Sequence, residues 1–275
     1  MFTLRTLVAG AIFVLVGTAC KRDTQPAAAG AADTVAKPII PAGTPTNLAV
    51  IVHRYPHDAN SFTEGLEWHD GSLYEGTGIV GQSGVRRTEL ATGALLKYLT
   101  LAPPHFGEGV TVYHGTLYEL TWKDGVGFKY DAATFAPRGQ FHYTGEGWGL
   151  THDAHSLIMS DGTSVLRYLD PGTFKVQRTL AVSADGMSVP RLNELELIHG
   201  ELWANLWQSS NIARIDPATG KVIAWVDLSP LTTQIAAGDT VDVANGIAYD
   251  SVTDRIFVTG KLWSSVYEIR LGPRE

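Results

Sequence analysis

Charged, amide and aromatic side chains occupy two equivalent positions of a short pattern that the chain repeats five times. The first position carries, in chain order, Glu64, Glu108, Trp148, Asn193 and Asn245. The second position carries Gly78, Trp122, Gly162, Trp207 and Lys261. A carboxylate can transfer protons, and an ammonium or amide group can stabilise negative charge on a reacting oxygen. Together with the aromatic rings, these groups predict a pocket for a small ligand.

The spacing of the pattern indicates the fold. Successive copies begin 44, 40, 45 and 52 residues apart, and the second position follows the first by 14 residues in four copies and by 16 in the fifth. A repeat of about 40 to 50 residues made of short alternating strands is typical of propeller blades. Since no segment shows sustained helical periodicity, we predict an all-β, five-bladed β-propeller.

The fourth copy shows the expected content of one blade. Its alternating apolar runs predict four strands, at 194–198, 202–206, 211–215 and 221–226. The fifth copy ends after a strand at 266–271, too early for a fourth strand, whereas a strand-like run at 48–55 precedes the first copy. We expect 48–55 to complete the last blade and close the ring, because closure removes two exposed sheet edges.

Strand geometry places the two marked positions together. The first lies at the start of the innermost strand of a blade and the second at the end of the next, antiparallel strand, so both lie at one end of the central channel. Phe62 and Phe106, two residues before Glu64 and Glu108, point the same way because strand side chains alternate.

The first residues predict export. Residues 1–20 contain a basic start, a short apolar run and a small-residue cleavage zone, as in a signal peptide. Cys20 follows Gly-Thr-Ala and resembles the lipidated cysteine of a bacterial lipoprotein, the alternative being an ordinary signal cleaved further on. Residues 21–46 predict a flexible tether and 47–275 the propeller domain. We therefore expect the protein in the bacterial periplasm or cell envelope.

The bulk composition argues against several other classes. A net charge of -7 without a basic run argues against a nucleic-acid partner, and a single cysteine excludes an intrachain disulfide. No metal-binding motif, serine elbow or phosphate loop occurs, so we expect neither a metal nor a cofactor. His57-Asp58 and His152-Asp153 are interpreted as turn residues.

Several longer motifs resemble those of the plant and bacterial glutaminyl cyclase family. They are Phe-Thr-Glu-Gly-Leu at 62–66, Phe-Gly-Glu-Gly at 106–109, Gly-Trp-Gly-Leu at 147–150, Arg-Leu-Asn-Glu-Leu-Glu at 191–196 and Val-Thr-Gly-Lys-Leu-Trp at 258–263. The resemblance runs from about residue 50 to 271. It implies a five-bladed propeller that converts N-terminal glutamine into pyroglutamate with release of ammonia, without zinc.

The resemblance also implies roles for individual residues. Glu108 would be the general acid and base, and Asn193 and Lys261 match further positions of the family's pocket. Independently of the resemblance, the side-chain chemistry of Asn193 and Lys261 suits them to stabilise the developing oxyanion. The remaining pocket positions that match the family are Phe62, Phe106, Trp122, Trp148 and Trp207. Their rings would hold the folded-back glutamine side chain and exclude water.

Glu64 departs from the family, which commonly has Gln at that position. If Glu64 lies near Glu108, repulsion between the like charges would raise one of the two pKa values. Alternatively, Glu64 binds the α-ammonium of the substrate, pairs with Lys261, or is a solvated carboxylate at a strand end.

The leading interpretation is an exported glutaminyl-peptide cyclotransferase, an acyltransferase that acts as a monomer on peptides and proteins with N-terminal glutamine. Its only membrane contact would be the lipid anchor. A second interpretation is a non-catalytic propeller that binds peptides or sugars on the same face, for which Glu108 would not be needed. A metal-dependent, lactonase-like hydrolase would need more inward carboxylate or imidazole ligands than the marked positions supply.

Overall fold

A computed structural model of the chain describes residues 40–236 and 242–274. Strands dominate these residues, so the prediction of an all-β fold is confirmed. The described part also contains an eight-residue helix, α1 (Ser229–Ala236), which the sequence pattern did not predict. The predicted signal at 1–20, with Cys20, and the first part of the predicted tether lie outside the described residues.

The first described strand is β1 (Thr46–Pro56), and three four-stranded antiparallel sheets follow it. The first sheet consists of β2 (Thr63–His69), β3 (Ser72–Thr77), β4 (Gly84–Thr88) and β5 (Leu95–Thr100). The second consists of β6 (Gly107–Tyr113), β7 (Thr116–Thr121), β8 (Val126–Asp131) and β9 (Pro137–His142). The third consists of β10 (Leu150–His152), β11 (Leu157–Met159), β12 (Val165–Leu169) and β13 (Val176–Ala181).

A two-stranded hairpin separates the third sheet from the rest of the chain. It consists of β14 (Ser183–Ala184) and β15 (Met187–Ser188). The next strands are β16 (Leu192–Ile198), β17 (Glu201–Leu206), β18 (Asn211–Ile215) and β19 (Val222–Asp227). After α1 come β20 (Ala244–Asp250), β21 (Arg255–Gly260) and β22 (Ser265–Arg274). The four strands predicted in the fourth repeat thus form with nearly the predicted bounds.

Strand β1 joins the two ends of the described chain. It pairs antiparallel with β22 along most of its length, from Asn47 opposite Arg274 to Pro56 opposite Ser265. Residues 48–55 therefore complete the last repeat, as predicted. The first residues of β1 also pair in parallel with β19, which links both four-stranded groups into one eight-stranded sheet.

The first strands of the repeats pack against one another in the middle of the molecule. Strand β2 packs against β6 and β20, β10 packs against β6 and β16, and β16 packs against β20. This is a nearly closed, barrel-like arrangement surrounded by small sheets, consistent with a propeller. Apolar side chains fill the space between neighbouring sheets, as around the fully buried Trp225, whose cluster draws on the third and fourth repeats.

The inner strands approach so closely that glycine is required at their contacts. A Cβ atom at Gly109 would lie 2.5 Å from the Trp148 carbonyl oxygen, and one at Gly149 would lie 2.1 Å from that of Asn193. The fourth repeat instead has Glu194, whose carboxylate accepts the backbone N–H groups of Leu66 (3.2 Å) and Ile247 (2.8 Å). Glu194 therefore bridges β2 and β20.

Within the described ranges, no helix has the length and apolar character needed to span a membrane.

Candidate functional site

The structure brings the residues of the two marked positions to one end of the central channel. Four of the five first-position residues lie at the second residue of an inner strand, namely Glu64, Glu108, Asn193 and Asn245. Trp148 lies two residues before β10, and the second-position residues follow the ends of the neighbouring strands. The expected common location is therefore observed, and it contains side chains that come from all five repeats.

Glu64 and Lys261 form a buried ion pair across the junction of the first and last repeats. The Lys261 Nζ atom lies 2.6 Å from Oε1 of Glu64, and the two side chains are 9% and 3% exposed. Asn245 Nδ2 donates to the other oxygen of Glu64 at 3.2 Å. Of the alternatives for Glu64, pairing with Lys261 is thus observed, and a solvated carboxylate is wrong.

Glu108 is a buried carboxyl group with a strongly shifted pKa. Burial raises its pKa well above the ordinary value, and the charge of Glu64 raises it further, while Lys261 opposes the shift. A hydrogen bond between the two carboxyl groups adds to the rise in the pKa of Glu108 and lowers the pKa of Glu64. Burial also raises the pKa of Glu64, although Lys261 lowers it. The like charge of Glu64 is therefore one cause of the raised pKa of Glu108, after burial, while Lys261 lies beside Glu64 as its counter-ion.

Two groups of aromatic rings surround these carboxyls. Phe62 meets Phe106 edge to face at 6.3 Å between ring centroids, and Phe106 lies 5.7 Å from Trp122. Trp148 and Trp207 form a second edge-to-face pair at 5.8 Å. These distances lie in the range of favourable aromatic contacts, so the rings that wall the site stabilise one another.

The glycines at two of the second positions make room for these rings. A Cβ atom at Gly78 would lie 2.4 Å from Cζ of Phe106, and one at Gly162 would lie 2.7 Å from Cζ2 of Trp148. Any other residue at these positions would displace an aromatic ring. The alternation of glycine and large residues at the second position is therefore a packing requirement of the pocket.

Asn193 presents an unpartnered acceptor to the site. Its side chain is 3% exposed, and its Oδ1 atom has no hydrogen-bond partner among the described residues. A buried acceptor without a donor is destabilising, so a ligand that supplies an N–H group would satisfy it.

Sequence reasoning missed two charged residues of the site, Glu146 and Arg191. Glu146 Oε2 accepts the indole N–H groups of Trp122 and Trp148, each at 2.9 Å. The guanidinium of Arg191, a residue 4% exposed, lies 5.0 Å from the centroid of Trp207. Both residues precede a first-position residue by two, as Phe62 and Phe106 do. Extending that offset to the third and fourth repeats would have identified them.

A cavity of about 420 Å³ opens beside Phe62 and Gly78. An ion pair between Arg86 and Asp58, with 2.9 Å between Nη2 and Oδ2, forms part of its wall. Leu95 also lines it and is 51% exposed. The cavity therefore shares Phe62 and Gly78 with the candidate site and is otherwise lined by residues of the first repeat.

The described histidines take other roles. His57 Nε2 lies 3.1 Å from Glu75 Oε1, and Nδ1 lies 2.6 Å from the Trp263 carbonyl oxygen. The His57 side chain is therefore buried, and it connects the loop after β1 to Glu75 and to the Trp263 backbone. His152 Nδ1 lies 2.9 Å from Thr111 Oγ1. No group of three or more His, Cys, Asp or Glu residues in the described ranges is arranged to hold a metal ion.

Comparison with known proteins agrees with this arrangement. Residues 24–271 match the family model described as glutamine cyclotransferase. The chain is 42% identical over 225 residues to the glutaminyl-peptide cyclotransferase of Arabidopsis thaliana, covering 80% of this chain and 70% of the relative. The crystal structure of Myxococcus xanthus glutaminyl cyclase superimposes with a TM-score of 0.79 at 36% identity, covering 83% of this chain and 98% of that one.

Proposed function

Because this chain belongs to the glutamine cyclotransferase family, we propose that it is an enzyme that converts the N-terminal glutamine of peptides and proteins into pyroglutamate with release of ammonia. The observation that carries the proposal is Glu108, a buried carboxyl group of raised pKa at the centre of an aromatic pocket. A buried carboxyl group whose pKa is raised in this way is suited to proton transfer between two nitrogens.

The reaction needs one proton to move. The α-amine nitrogen of the glutamine bonds to its own γ-carboxamide carbon, and the bond from that carbon to the leaving nitrogen breaks. The attacking nitrogen loses one proton and the leaving nitrogen gains one, so the products are a five-membered lactam and ammonia. Departure as ammonia avoids an amide anion, which is why an acid is required.

Glu108 would supply both halves of this transfer. In its acid form it gives its proton to the leaving nitrogen and receives the amine proton at its other oxygen, so it ends as it began. General acid–base catalysis of this kind contributes roughly 10²- to 10⁴-fold to a rate. Since the substrate amine must be neutral and Glu108 protonated, we expect a bell-shaped dependence of kcat/KM on pH.

The neighbouring residues would bind and stabilise the reacting groups. The ammonium of Lys261, fixed by Glu64, supplies positive charge for the developing oxyanion. The unpartnered Oδ1 atom of Asn193 would accept an N–H group of the substrate, and the amide N–H of Asn193 would share the oxyanion role. The pocket rings, namely Phe62, Phe106, Trp122, Trp148 and Trp207, would hold the glutamine in its folded-back conformation.

We also propose that the fold is a five-bladed propeller. Support comes from the five four-stranded groups, β2–β5, β6–β9, β10–β13, β16–β19, and β20–β22 with β1. The mutual packing of their first strands supports the same interpretation. In this architecture 47–275 is the catalytic domain, and the peptide chain after the glutamine leaves by the cavity beside Phe62 and Gly78.

Mass spectrometry of a glutamine-initiated peptide incubated with the purified protein tests the function. Loss of one ammonia, faster than in buffer, is expected, and a Glu108→Gln variant should lose at least a hundredfold of that rate. Folded protein that binds the peptide but leaves it unchanged would support the non-catalytic propeller instead. Release of ammonia at the wild-type rate by Glu108→Gln would contradict the mechanism.

We infer from the first 20 residues that the protein is exported and anchored through a lipid on Cys20. Fatty-acid labelling of the full chain in a bacterial host, with Cys20→Ala as the control, tests this. Label in both proteins, or in neither, would contradict it.

A further inference from the structure

We propose that Glu146 is a positioning residue of the pocket, whose carboxylate holds Trp122 and Trp148 where they form one continuous wall. The inference rests on the proposed function for the identity of the substrate. The family resemblance described above assigns no role to Glu146.

The contacts of Glu146 are specific. A single oxygen, Oε2, accepts the indole N–H of Trp122 and that of Trp148, each at 2.9 Å. An indole nitrogen is a donor only, and a hydrogen bond to a charged acceptor is stronger than one between neutral groups. Both indole rings are therefore held by the same oxygen atom, Oε2 of Glu146, which fixes them relative to each other.

This point joins two aromatic groups that otherwise belong to different repeats. Trp122 continues the contacts of Phe62 and Phe106, whereas Trp148 packs on Trp207. Glu146 supplies the connection between the two groups. With it, the aromatic wall runs without interruption from the first repeat to the fourth.

The backbone that carries Glu146 is itself anchored. Arg167 donates from Nη2 to the Glu146 carbonyl oxygen at 3.0 Å and from Nη1 to that of Thr144 at 2.5 Å. The N–H group of Gly147 donates to the Trp122 carbonyl oxygen at 2.9 Å. Asp161 lies 3.2 Å from Arg167 and fixes the guanidinium. Glu146 is therefore a half-buried group held in place, rather than a freely rotating surface carboxylate.

The negative charge of Glu146 has a second, separable effect. It is one of the charges that raise the pKa of Glu108, after burial and Glu64. Replacement by Gln keeps an oxygen that can accept the indole N–H groups but removes the charge. Replacement by Leu removes both, so the two variants distinguish the holding of the rings from the electrostatic effect.

Steady-state kinetics with a glutamine-initiated peptide provide the first measurement. We expect Glu146→Leu to raise KM about tenfold, the effect of losing roughly one strong hydrogen bond. In Glu146→Gln most of that affinity should return, while the basic limb of the pH–rate profile moves to lower pH because Glu108 loses its proton more readily. Equal KM values for Glu146→Leu and wild type would overturn the proposal.

A readout without turnover separates this inference from the proposed function. The tryptophan band of the near-ultraviolet circular dichroism spectrum should weaken in Glu146→Leu and persist in Glu146→Gln, with unchanged far-ultraviolet spectra. A double-mutant cycle with Trp122→Phe should show coupling in this band, because Trp122→Phe already removes one of the donors. An unchanged band in Glu146→Leu would refute the positioning role even if the enzyme proves active, whereas an inactive wild type with the expected band would refute only the function.

Discussion

Lys261 and Glu64, 197 positions apart in the chain, form a buried ion pair with 2.6 Å between Nζ and Oε1. The pair explains how this chain accommodates a carboxylate at a position that is 3% exposed. A buried charge is tolerated when a counter-charge lies beside it, and here the same lysine also serves the pocket.

Removal of the lysine alone should destabilise the fold. Lys261→Met leaves Glu64 buried without its cation, and we expect the free energy of unfolding to fall by about 3 kcal/mol. The double variant with Glu64→Gln should regain much of this loss, because no uncompensated charge remains. Urea unfolding of the four proteins measures both values. Strict additivity of the two single substitutions would show that the residues are not coupled.

Glu64→Gln should also change the pH dependence of activity. The charge of Glu64 raises the pKa of Glu108, so its removal lowers that pKa, and Glu108 loses its proton at lower pH. The basic limb of kcat/KM against pH is expected to move to lower pH. Glu89→Gln, which removes an exposed charge between β4 and β5, is the matched control. A profile for Glu64→Gln identical to wild type would remove the electrostatic link.

The His57–Glu75 pair should make stability depend on pH. Burial lowers the pKa of His57, but Glu75 and the hydrogen bond to the Trp263 carbonyl together raise it by more, so the net shift is upward from 6.5. Burial raises the pKa of Glu75, but His57, the Ser61 hydroxyl and Arg86 together lower it by more, so the net shift is downward from 4.5. The stabilisation by His57 is therefore complete below pH 6.5 and lost as pH rises through the folded pKa. The stabilisation by Glu75 is complete above pH 4.5 and is lost as pH falls through the pKa of Glu75 in the folded protein.

The difference in unfolding free energy between wild type and His57→Asn tests this window. It should be largest, about 3 kcal/mol, between pH 4.5 and 6.5 and should shrink on either side. Urea unfolding at a series of pH values gives the difference. A value independent of pH would mean that His57 acts only through packing.

The cavity beside Phe62 should contribute to recognition of the residue after the glutamine. Leu95 and Leu96 are 51% and 50% exposed, yet only Leu95 is among the residues that line the cavity. We expect Leu95→Ser to lower kcat/KM on the order of threefold for a peptide with leucine after the glutamine, relative to glutamine amide. Leu96→Ser, a substitution of the same size on the same strand, should leave this ratio unchanged. Equal effects of both variants would place the peptide elsewhere.

Much of this arrangement was predictable because the repeat fixes where strands start. Equal spacing of Glu108 and Trp122, and of Asn193 and Trp207, placed these residues at one end of the channel, where they lie. The pairing of Glu64 with Lys261 remained one alternative among several, since it depends on the last repeat packing beside the first. That neighbour relation follows from the pairing of β1 with β22.

The contacts of Glu146 could not be read from spacing alone. The two-residue offset would have placed it at the site, but its two indole partners depend on side-chain rotamers and on the anchoring by Arg167. Helix α1 was missed for a different reason. Its eight residues are too short for a helical pattern to appear in the sequence.

The pairing of β1 with β22 has a consequence for how the protein folds. The pairing of the first and last described strands joins segments more than 200 residues apart and accompanies the packing of the first repeat against the last. Contacts of such separation form late, because the loop entropy they require is large. Glu64 belongs to the first repeat and Lys261 to the last, so their ion pair depends on this late contact. The pocket is thus complete only in the fully folded chain, so a partly folded or truncated intermediate would be inactive however many repeats it had formed.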